Sequence, residues 1–423
     1  MAKVLGTDCD VSNALKKLAG SKVAGQGREP SWFHPFPARM PVSVAHHLIE
    51  SLTTSDAVIL DPMMGSGTTL IAAKQIGRRG IGFDRDYLAV RISRCATHDF
   101  DSDRLHQLRR QILEQAEAVN REKRFRLPEE RKSLPEEDQE FIRYWFPSRS
   151  QKQLFSLAKV IHDYREGPEK DFAWVVFSSL IVAKSAGASY ALDISRSRPH
   201  KRDDKPIVLP LDGWDRRFRS AMSRLPFLNC EASGDVQIQQ GDARHLVVKD
   251  ASIDFVLTSP PYRNAVDYLR SHKFSLVWMG HDLESLRELR GTMVGTERGL
   301  WSLDGLPESL EQRLKRSVRE DRRRALLRRY LSDIRQILAE TNRVLRPGGL
   351  AVLVVGPTMI NARNSDAAET IWQIGKSVGL RAAGSAIRQL NSERRSLPPP
   401  GTTGQENSLS NRMRREVIVA LRK

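Results

Sequence analysis

The sequence has few cysteines, which argues against a fold held by disulfides or by cysteine-bound zinc. Only Cys9, Cys95 and Cys230 occur in 423 residues, and no two of them form a CxxC pair. Neither a disulfide framework nor a cysteine-rich zinc site is indicated. Cys95 and His98 are three residues apart but have no further ligands nearby in sequence, so we interpret them as core residues and expect no metal. Such cysteine usage fits a reducing cytoplasm.

Long apolar runs are also missing. The longest, FAWVVFSSLIVA at 172–183, is well short of the ~20 residues needed to cross a bilayer. The amino-terminal stretch has no apolar signal core. We interpret the apolar run as a buried helix, and we expect no membrane partner and a cytoplasmic, nucleoid-associated location.

Acidic residues are too few to balance the basic ones. The chain has 68 Lys and Arg against 51 Asp and Glu, a formal net charge of +17. This excess attracts polyanions, so charge alone makes nucleic acid the leading partner. A basic surface that only keeps the protein soluble is the alternative.

The order of apolar runs predicts an α/β fold. Residues 57–86 read as strand, turn, helix, turn and strand, which is a βαβ unit. Residues 101–232 are mainly helical in character. Strand-like runs resume in 233–423, which also contains a basic helical segment at about 281–343. We therefore expect one doubly wound sheet with a helical insertion.

A Gly-rich turn, DPMMGSGTT at 61–69, joins the first predicted strand to a helix. Gly65 and Gly67 have no Cβ, so their backbone can approach a ligand beyond the strand's carboxyl end. No lysine follows Gly67 as in a Walker A loop, and Leu70 stands where a dinucleotide fingerprint has its third glycine. Asp84 ends the second strand, where a carboxylate can accept both hydroxyls of a ribose.

A rigid corner, SPPY at 259–262, ends another apolar strand. Neither proline can donate a backbone hydrogen bond, so the strand stops there. The Ser259 hydroxyl and the Pro260 carbonyl are then fixed as hydrogen-bond acceptors. Tyr262 offers an aromatic ring beside them.

These two segments resemble motifs I and IV of the AdoMet-dependent DNA amino-methyltransferases, which methylate the exocyclic nitrogen of cytosine or adenine. The resemblance implies a Rossmann-like class I methyltransferase sheet, S-adenosyl-L-methionine as cofactor, and duplex DNA with a flipped base as substrate. It makes 1–100 the AdoMet-binding half, 101–232 the candidate target-recognition region and 233–423 the catalytic half. No nuclease motif is evident, so any partner restriction endonuclease would be a separate chain.

The resemblance also assigns roles to individual residues. FHPFPARMP is similar to the segment that precedes motif I, and GDAR at 241–244 to motif III, where Asp242 would reach the adenine amino group of the cofactor. The expected cofactor-binding residues are Phe36, Pro37, Arg39, Asp61, Pro62, Gly65, Ser66, Gly67, Thr68, Thr69, Asp84 and Asp242. The expected catalytic residues are Ser259, Pro260, Pro261 and Tyr262.

The first residue of SPPY bears on the target base. In this family serine usually accompanies cytosine N4 and aspartate adenine N6, so the resemblance implies cytosine N4. The cofactor turn precedes SPPY here, an order that resembles the group richer in adenine enzymes and keeps adenine N6 open. Methylation of cytosine C5 needs a cysteine nucleophile, which follows a proline in the enzymes of that class. None of Cys9, Cys95 and Cys230 follows a proline, so we reject C5 as the target. An RNA methyltransferase of the same fold and a nucleic-acid-binding subunit without turnover are further alternatives.

Two basic segments are candidates for contacting DNA. Residues 313–329 contain nine basic and two acidic residues, with the arginines predicted on the solvent side of a helix, where they bind phosphate or only face water. Residues 194–202 form a basic, proline-fixed loop, which we favour because it loses less entropy on ordering. The expected contacts are Arg196, Arg198, His200, Lys201, Arg202, Arg322, Arg323 and Arg324.

Overall fold

The computed structural model describes residues 8–20, 34–37, 39–122, 132–183, 186–192, 199–225, 234–262, 267–296, 305–357, 359–360, 366–390 and 415–423. Of the residues singled out above, Arg196, Arg198 and Cys230 lie outside this part of the chain.

The strands form one large sheet and one separate pair. Their bounds are β1 Val58–Asp61, β2 Arg79–Asp84, β3 Ala191–Leu192, β4 His200–Lys201, β5 Val236–Gln240, β6 Ile253–Thr258, β7 Leu345–Val355, β8 Arg381–Gln389 and β9 Arg415–Arg422. The large sheet has the order β5-β2-β1-β6-β7-β9-β8. Its first five strands are parallel, and β9 is antiparallel to β7 and β8. Strands β3 and β4 form an antiparallel pair.

Helices cover both faces of the sheet. Their bounds are α1 Asp8–Gly20, α2 Val42–Leu52, α3 Thr68–Gln75, α4 Tyr87–Thr97, α5 Ser102–Arg121, α6 Glu136–Trp145, α7 Ser148–Asp163, α8 Pro168–Ile181, α9 Pro210–Met222, α10 Tyr268–Leu276, α11 Leu283–Gly291, α12 Glu308–Ser317, α13 Asp321–Val344 and α14 Ala367–Ser377. Strand β6 contributes Phe255 and Leu257 to one hydrophobic core and Ile253 and Val256 to the other. All its residues are buried, as expected of a central parallel strand. The predicted doubly wound α/β fold is confirmed.

The helical region between β2 and β5 packs onto the sheet domain through α8, which contains most of the apolar run. Every residue of α8 from Lys170 to Ile181 is buried, because α8 lies among α4, α5, α7, α9 and α10. No helix of the described residues is long and apolar enough to cross a membrane. The division of the chain at residues 101 and 232 remains a prediction.

The first helix covers the end of the sheet built by the last strands. The Asp8 carboxylate accepts hydrogen bonds from Arg381 at 2.9 Å and Arg422 at 3.0 Å. The side chains of Val11 and Leu15 lie beside Gly384 of β8, the outermost strand. The two ends of the described chain are therefore joined.

The prediction for the basic helix is only partly right. Arg322 and Arg323 are exposed, as predicted. Arg324 is half-buried, pairs with Asp321 and donates to the Val318 carbonyl at 3.1 Å. Arg329 is buried and donates to the Gly291 carbonyl at 2.9 Å, so its predicted place on the solvent side is wrong. The helix turns Arg329 inwards next to the buried Leu327 and Leu331, and α11 supplies its acceptor.

Strand β1 lies at the point where the chain changes direction across the sheet. From β1 the sheet continues through β2 to β5 on one side, whereas β6 lies on the other side. In such sheets the crevice outside the carboxyl ends of the two central strands is the usual place for a ligand. The glycine turn follows β1, and the SPPY corner follows β6.

We predict that Asp254 of β6 stabilises this centre. Its carboxylate accepts a hydrogen bond from Val58 N at 2.8 Å and an ion pair from Arg346 at 2.5 Å. Asp254→Ala leaves the Val58 N–H without that acceptor and should lower the free energy of unfolding by about 1–3 kcal/mol, measured by urea denaturation. Arg346→Ala is the control: that side chain is 46% exposed, so the loss should stay below about 1 kcal/mol. Equal losses would contradict a separate role for the Val58 bond.

Candidate active site

A cavity of about 700 Å³ lies at the carboxyl ends of β1, β2 and β6. It brings together most of the residues predicted from the sequence. The predicted cofactor residues in its wall are Phe36, Arg39, Asp61, Pro62, Gly65, Ser66, Thr68, Thr69, Asp84 and Asp242. The predicted catalytic residues Ser259, Pro260, Pro261 and Tyr262 line the same cavity. Pro37 and Gly67 do not line the cavity, although their sequence neighbours Phe36, Ser66 and Thr68 do.

The glycine turn is held by two carboxylates. Asp61 accepts hydrogen bonds from Met63 N at 3.1 Å and from Thr258 Oγ1 at 2.7 Å. Gly65 N donates to Asp84 Oδ2 at 2.9 Å. The φ angles of Gly65 and Gly67 are +52° and +82°, in the left-handed region that favours glycine. Asp61 therefore anchors the turn to β6, and Asp84 anchors it to β2.

Burial makes both acids weaker than usual. It raises the pKa of Asp61 to about 6, although the nearby Thr69 and Thr258 hydroxyls and the Met63 N–H oppose the shift. It raises the pKa of Asp84 to about 7, helped by the nearby charge of Asp86. Each Asp84 oxygen accepts one backbone hydrogen bond, from Gly65 N or Asp86 N, both at 2.9 Å. Since a carboxylate oxygen has two lone pairs, Asp84 can still accept from a ribose.

An aromatic pair that the sequence did not predict forms another part of the wall. The rings of Phe36 and Tyr268 stack with centroids 4.9 Å apart and planes 20° apart. The Tyr268 hydroxyl donates to the Pro37 carbonyl at 3.5 Å, and the buried His272 ring lies 5.6 Å from Phe36. His272 Nδ1 lies 2.5 Å from Asp86 Oδ2. In the sequence, only Asp267-Tyr268 at the start of α10 and Asp86, two residues after Asp84, could have indicated this part of the wall.

The SPPY corner is fixed by the strands beside it. Ser259 Oγ donates its hydrogen to the Val354 carbonyl at 3.1 Å. The Tyr262 hydroxyl donates to Glu416 Oε1 at 3.1 Å, and Glu416 forms a buried ion pair with Arg388. Burial, together with the Glu416 charge, raises the pKa of Tyr262. Both polar side chains of the corner are therefore oriented by the protein itself.

Asp242 is engaged by two arginines. Its carboxylate pairs with Arg85 and accepts from Arg244 at 2.8 Å, while Arg244 also reaches Asp333 at 2.7 Å. Burial opposes ionisation, but the hydrogen bonds and charge of Arg244 outweigh it, and the pKa of Asp242 is lowered. Asp242 is therefore ionised in the cavity wall, and a contact with the cofactor adenine remains a prediction.

The helical region reaches this cavity through Pro199, which lines it. The next residues were predicted to bind DNA, and the structure gives them local partners. Lys201 Nζ lies 4.9 Å from the centre of the half-exposed Tyr144 ring, and Arg202 forms an exposed ion pair with Asp204. His200 is exposed, while Arg322, Arg323 and Arg324 lie outside the cavity wall.

The wall fits S-adenosyl-L-methionine on the following observations. A Cβ added to Gly65 would lie 3.3 Å from the Phe36 ring, and one added to Gly67 would lie 2.9 Å from Ser93 Oγ. The missing Cβ atoms therefore let the turn pack closely against Phe36 and Ser93, which holds its backbone at the edge of the cavity. Asp84 stands at the end of the second strand for the ribose, and the cavity has the volume of an ordinary cofactor site. The described residues contain no cluster of three or more His, Cys, Asp or Glu that could hold a metal.

Fold and site together define an α/β protein of the nucleoside-cofactor-binding class, and comparisons with known proteins narrow this class. A family model for DNA methylases of the N6/N4 type matches residues 12–94. The type II methyltransferase M.MvaI of Kocuria varians is 22% identical over 420 residues, which cover 92% of this chain and 90% of the relative. M.BsoBI of Geobacillus stearothermophilus is 25% identical, over 58% of this chain and 52% of the relative.

Among solved structures, a SAM-dependent methyltransferase from Methanosarcina mazei aligns over 89% of this chain and 96% of its own. The identity is 10% and the TM-score 0.29, too low to support an argument. The evidence for a family therefore comes from the sequence matches alone. These matches support the resemblance to the AdoMet-dependent DNA amino-methyltransferases, with S-adenosyl-L-methionine as the cofactor.

We predict that Gly67→Ala disrupts the cofactor turn. The new Cβ would have φ +82° and would lie 3.2 Å from the Ser93 Cα and 2.9 Å from its Oγ, which bonds the Gly65 carbonyl. AdoMet affinity, measured by calorimetry, should fall at least roughly tenfold, since a displaced turn loses hydrogen bonds worth about 1.4 kcal/mol or more.

Gly77→Ala is the matched control for this variant. Gly77 has a similar φ of +70°, but a Cβ there meets no atom within 4 Å. Its left-handed strain should cost about 1–2 kcal/mol of stability and leave AdoMet affinity unchanged. Equal affinities for the two variants would show that crowding at Gly67 is unimportant for the turn.

A pH dependence follows from Asp84. Its pKa of about 7 in the folded chain exceeds its ordinary value of 3.8. Between these values the folded state holds a proton that the unfolded state has lost, so this group lowers the free energy of unfolding as pH rises from about 4 to 7. Asp84→Asn cannot lose a proton. Its stability relative to the unmodified protein, from urea denaturation, should therefore increase through that window and level off above it. A pH-independent difference would contradict the raised pKa.

Proposed function

We propose that the protein methylates the exocyclic N4 of cytosine in duplex DNA after the base has been flipped out of the helix. The observation that carries this proposal is the hydrogen bond from Ser259 Oγ to the Val354 carbonyl. When its hydrogen is on the Val354 carbonyl, Ser259 Oγ has lone pairs left that can accept hydrogen bonds from an incoming group. An amino group, which offers two hydrogens, suits such a site.

The corner would activate the amino nitrogen by orientation. The lone pair of that nitrogen is conjugated with the base ring, and it becomes available only when both N–H bonds are drawn aside. Ser259 Oγ and the Pro260 carbonyl are the two acceptors, and the prolines set their directions before the base arrives. S-adenosyl-L-methionine, when bound, supplies an electrophilic methyl group.

Tyr262 would receive the flipped base on its ring. Its hydroxyl is tied to Glu416, and Glu416 to Arg388, so the ring cannot rotate freely towards solvent. A fixed ring stacks at a smaller entropic cost than a mobile one. The helical region 101–232 would select the target, since Pro199 already lies in the cavity wall next to Lys201.

The partner and location follow from the DNA substrate. The relatives above are named type II methyltransferases. We assign the protein to a restriction–modification pair whose endonuclease is a separate chain, and to the nucleoid in the cytoplasm. Adenine N6 is the second candidate, favoured by the order of the motifs, in which Asp61 precedes Ser259 by 198 residues.

Nucleoside mass spectrometry tests the target base. DNA from a methylation-free bacterial host that expresses the protein should contain N4-methylcytosine. Ser259→Ala should lose most of this signal, by about 10²-fold or more, because it removes a preorganised acceptor. It should keep its AdoMet affinity. Ser252→Ala is the control and should keep normal methylation: among the described residues, the Ser252 hydroxyl bonds only the Lys249 carbonyl, in the turn before β6.

Other outcomes of this experiment decide between the alternatives. N6-methyladenine in place of N4-methylcytosine would move the target to adenine. Methylated transfer RNA without methylated DNA would indicate an RNA enzyme. A folded, AdoMet-binding protein that modifies no nucleic acid would indicate a subunit without turnover.

A further inference from the structure

The cavity has a cationic wall that the roles described so far do not use. Arg270 and Lys273 of α10 and Arg290 of α11 line it together with Asp267, the residue that caps α10. Arg270 and Lys273 are three residues apart, so they share one face of the helix. Helix α10 begins six residues after Tyr262 with Tyr268, whose ring stacks on that of Phe36.

One carboxylate serves two guanidinium groups in this wall. Asp267 accepts from Arg290 Nε at 2.6 Å and from Arg290 Nη2 at 2.5 Å. Arg270 Nη2 is farther away, at 3.4 Å. Glu137, another acid whose charge acts on Lys273, pairs with Arg287. The wall therefore has three cations for one acid of its own.

Lys273 has no carboxylate or hydrogen-bond partner among the described residues. Its ammonium lies 5.2 Å from the centre of the Phe141 ring and 5.9 Å from that of Phe274. The side chain is half-buried in the cavity wall. A partly desolvated cation is stabilised only weakly by ring faces and strongly by an anion. Lys273 is thus placed for an anion from outside the protein.

We propose that Arg270, Lys273 and Arg290 bind the backbone phosphates on either side of the flipped nucleotide. This inference rests on the proposed function, because only a nucleotide that leaves the duplex brings its flanking phosphates to the cavity. A guanidinium offers a planar fork to a phosphate and a lysine offers a point charge, so the three residues suit two adjacent diesters. Arg290 keeps Asp267 as partner, which holds its side chain in place before DNA arrives.

Apart from Asp267, the acidic residues that line the cavity lie elsewhere in its wall. Asp61, Asp84 and Asp86 belong to the ends of β1 and β2, whereas the three cations belong to α10 and α11. A sulfonium cofactor is attracted to the acidic part and a phosphodiester to the basic part. Charge thus favours the cofactor beside β1 and β2 and the phosphodiester beside α10 and α11.

Lys273→Gln tests the proposal with little risk to folding, since no ion pair is broken. With genomic DNA from a methylation-free host and labelled AdoMet, its KM for DNA should rise roughly tenfold, which corresponds to one charged contact of about 1.4 kcal/mol. The slope of log affinity against log salt should fall by about 1. The affinity for AdoMet without DNA should be unchanged. Lys273→Arg should recover most of the loss.

Lys376→Gln is the matched control. Lys376 is an exposed lysine on α14, outside the cavity wall, and its removal changes the net charge by the same amount. It should leave KM, kcat and the salt slope as they are. Equal changes in both variants would assign the effect to the general basic field and overturn the proposal.

A chemically modified duplex locates the contact. Once the target site is mapped, a neutral methylphosphonate next to the target nucleotide should weaken binding to the unmodified protein, with no additional weakening in Lys273→Gln. Additive losses would overturn the proposal, as would a loss of AdoMet affinity in Lys273→Gln. If the unmodified protein methylates DNA and Lys273→Gln does so equally well, this inference is overturned but the proposed function is not. An unmodified protein without DNA methylation would overturn the proposed function itself.

Discussion

The candidate site depends on the buried carboxylate of Asp61, which links the glycine turn to the SPPY corner. Asp61 ends β1, accepts from Met63 N in the glycine turn, and accepts from Thr258 Oγ1, one residue before the SPPY corner. A second hydrogen bond between the same two segments runs from Thr69 Oγ1 to the Leu257 carbonyl, at 3.2 Å. Because Asp61 is buried, these bonds act in a medium of low dielectric constant, where losing an acceptor is expensive. The cofactor turn and the corner therefore cannot move independently.

A second layer of contacts holds the corner from behind. Val354 of β7 orients Ser259, while Glu416 of β9 and Arg388 of β8 orient Tyr262. These residues belong to the antiparallel end of the sheet and to the strand that joins it. The last part of the chain thus acts on the cavity without lining it. Preorganisation of this kind is the main contribution a protein makes to a reaction whose chemistry belongs to its cofactor.

Most of the site's residues could be predicted from the sequence, because their signals are local. A glycine turn after a strand, an acid at the next strand's end and two prolines after a third strand each indicate a position at the sheet's carboxyl edge. The cationic wall could not be predicted in this way. Arg270 and Lys273 look like ordinary helix residues, and Arg290 is brought beside them only by the packing of α11 against α10. Arg329 was misplaced for the same reason: its acceptor, the Gly291 carbonyl, lies 38 residues away.

The sequence by itself determined the fold class, the cofactor and the resemblance to the amino-methyltransferases. Strand periodicity and the two short motifs are local signals, because each depends on only a few consecutive residues. Tertiary structure alone decided how those motifs meet. Asp61 and Thr258 are 197 residues apart, and only parallel pairing of β1 with β6 makes them neighbours. It also decided which polar atoms are already committed: Ser259 Oγ to Val354, Asp84 to the turn, Asp242 to two arginines. A hydrogen bond depends on distance and direction in space, and neither is encoded in the spacing of residues along the chain.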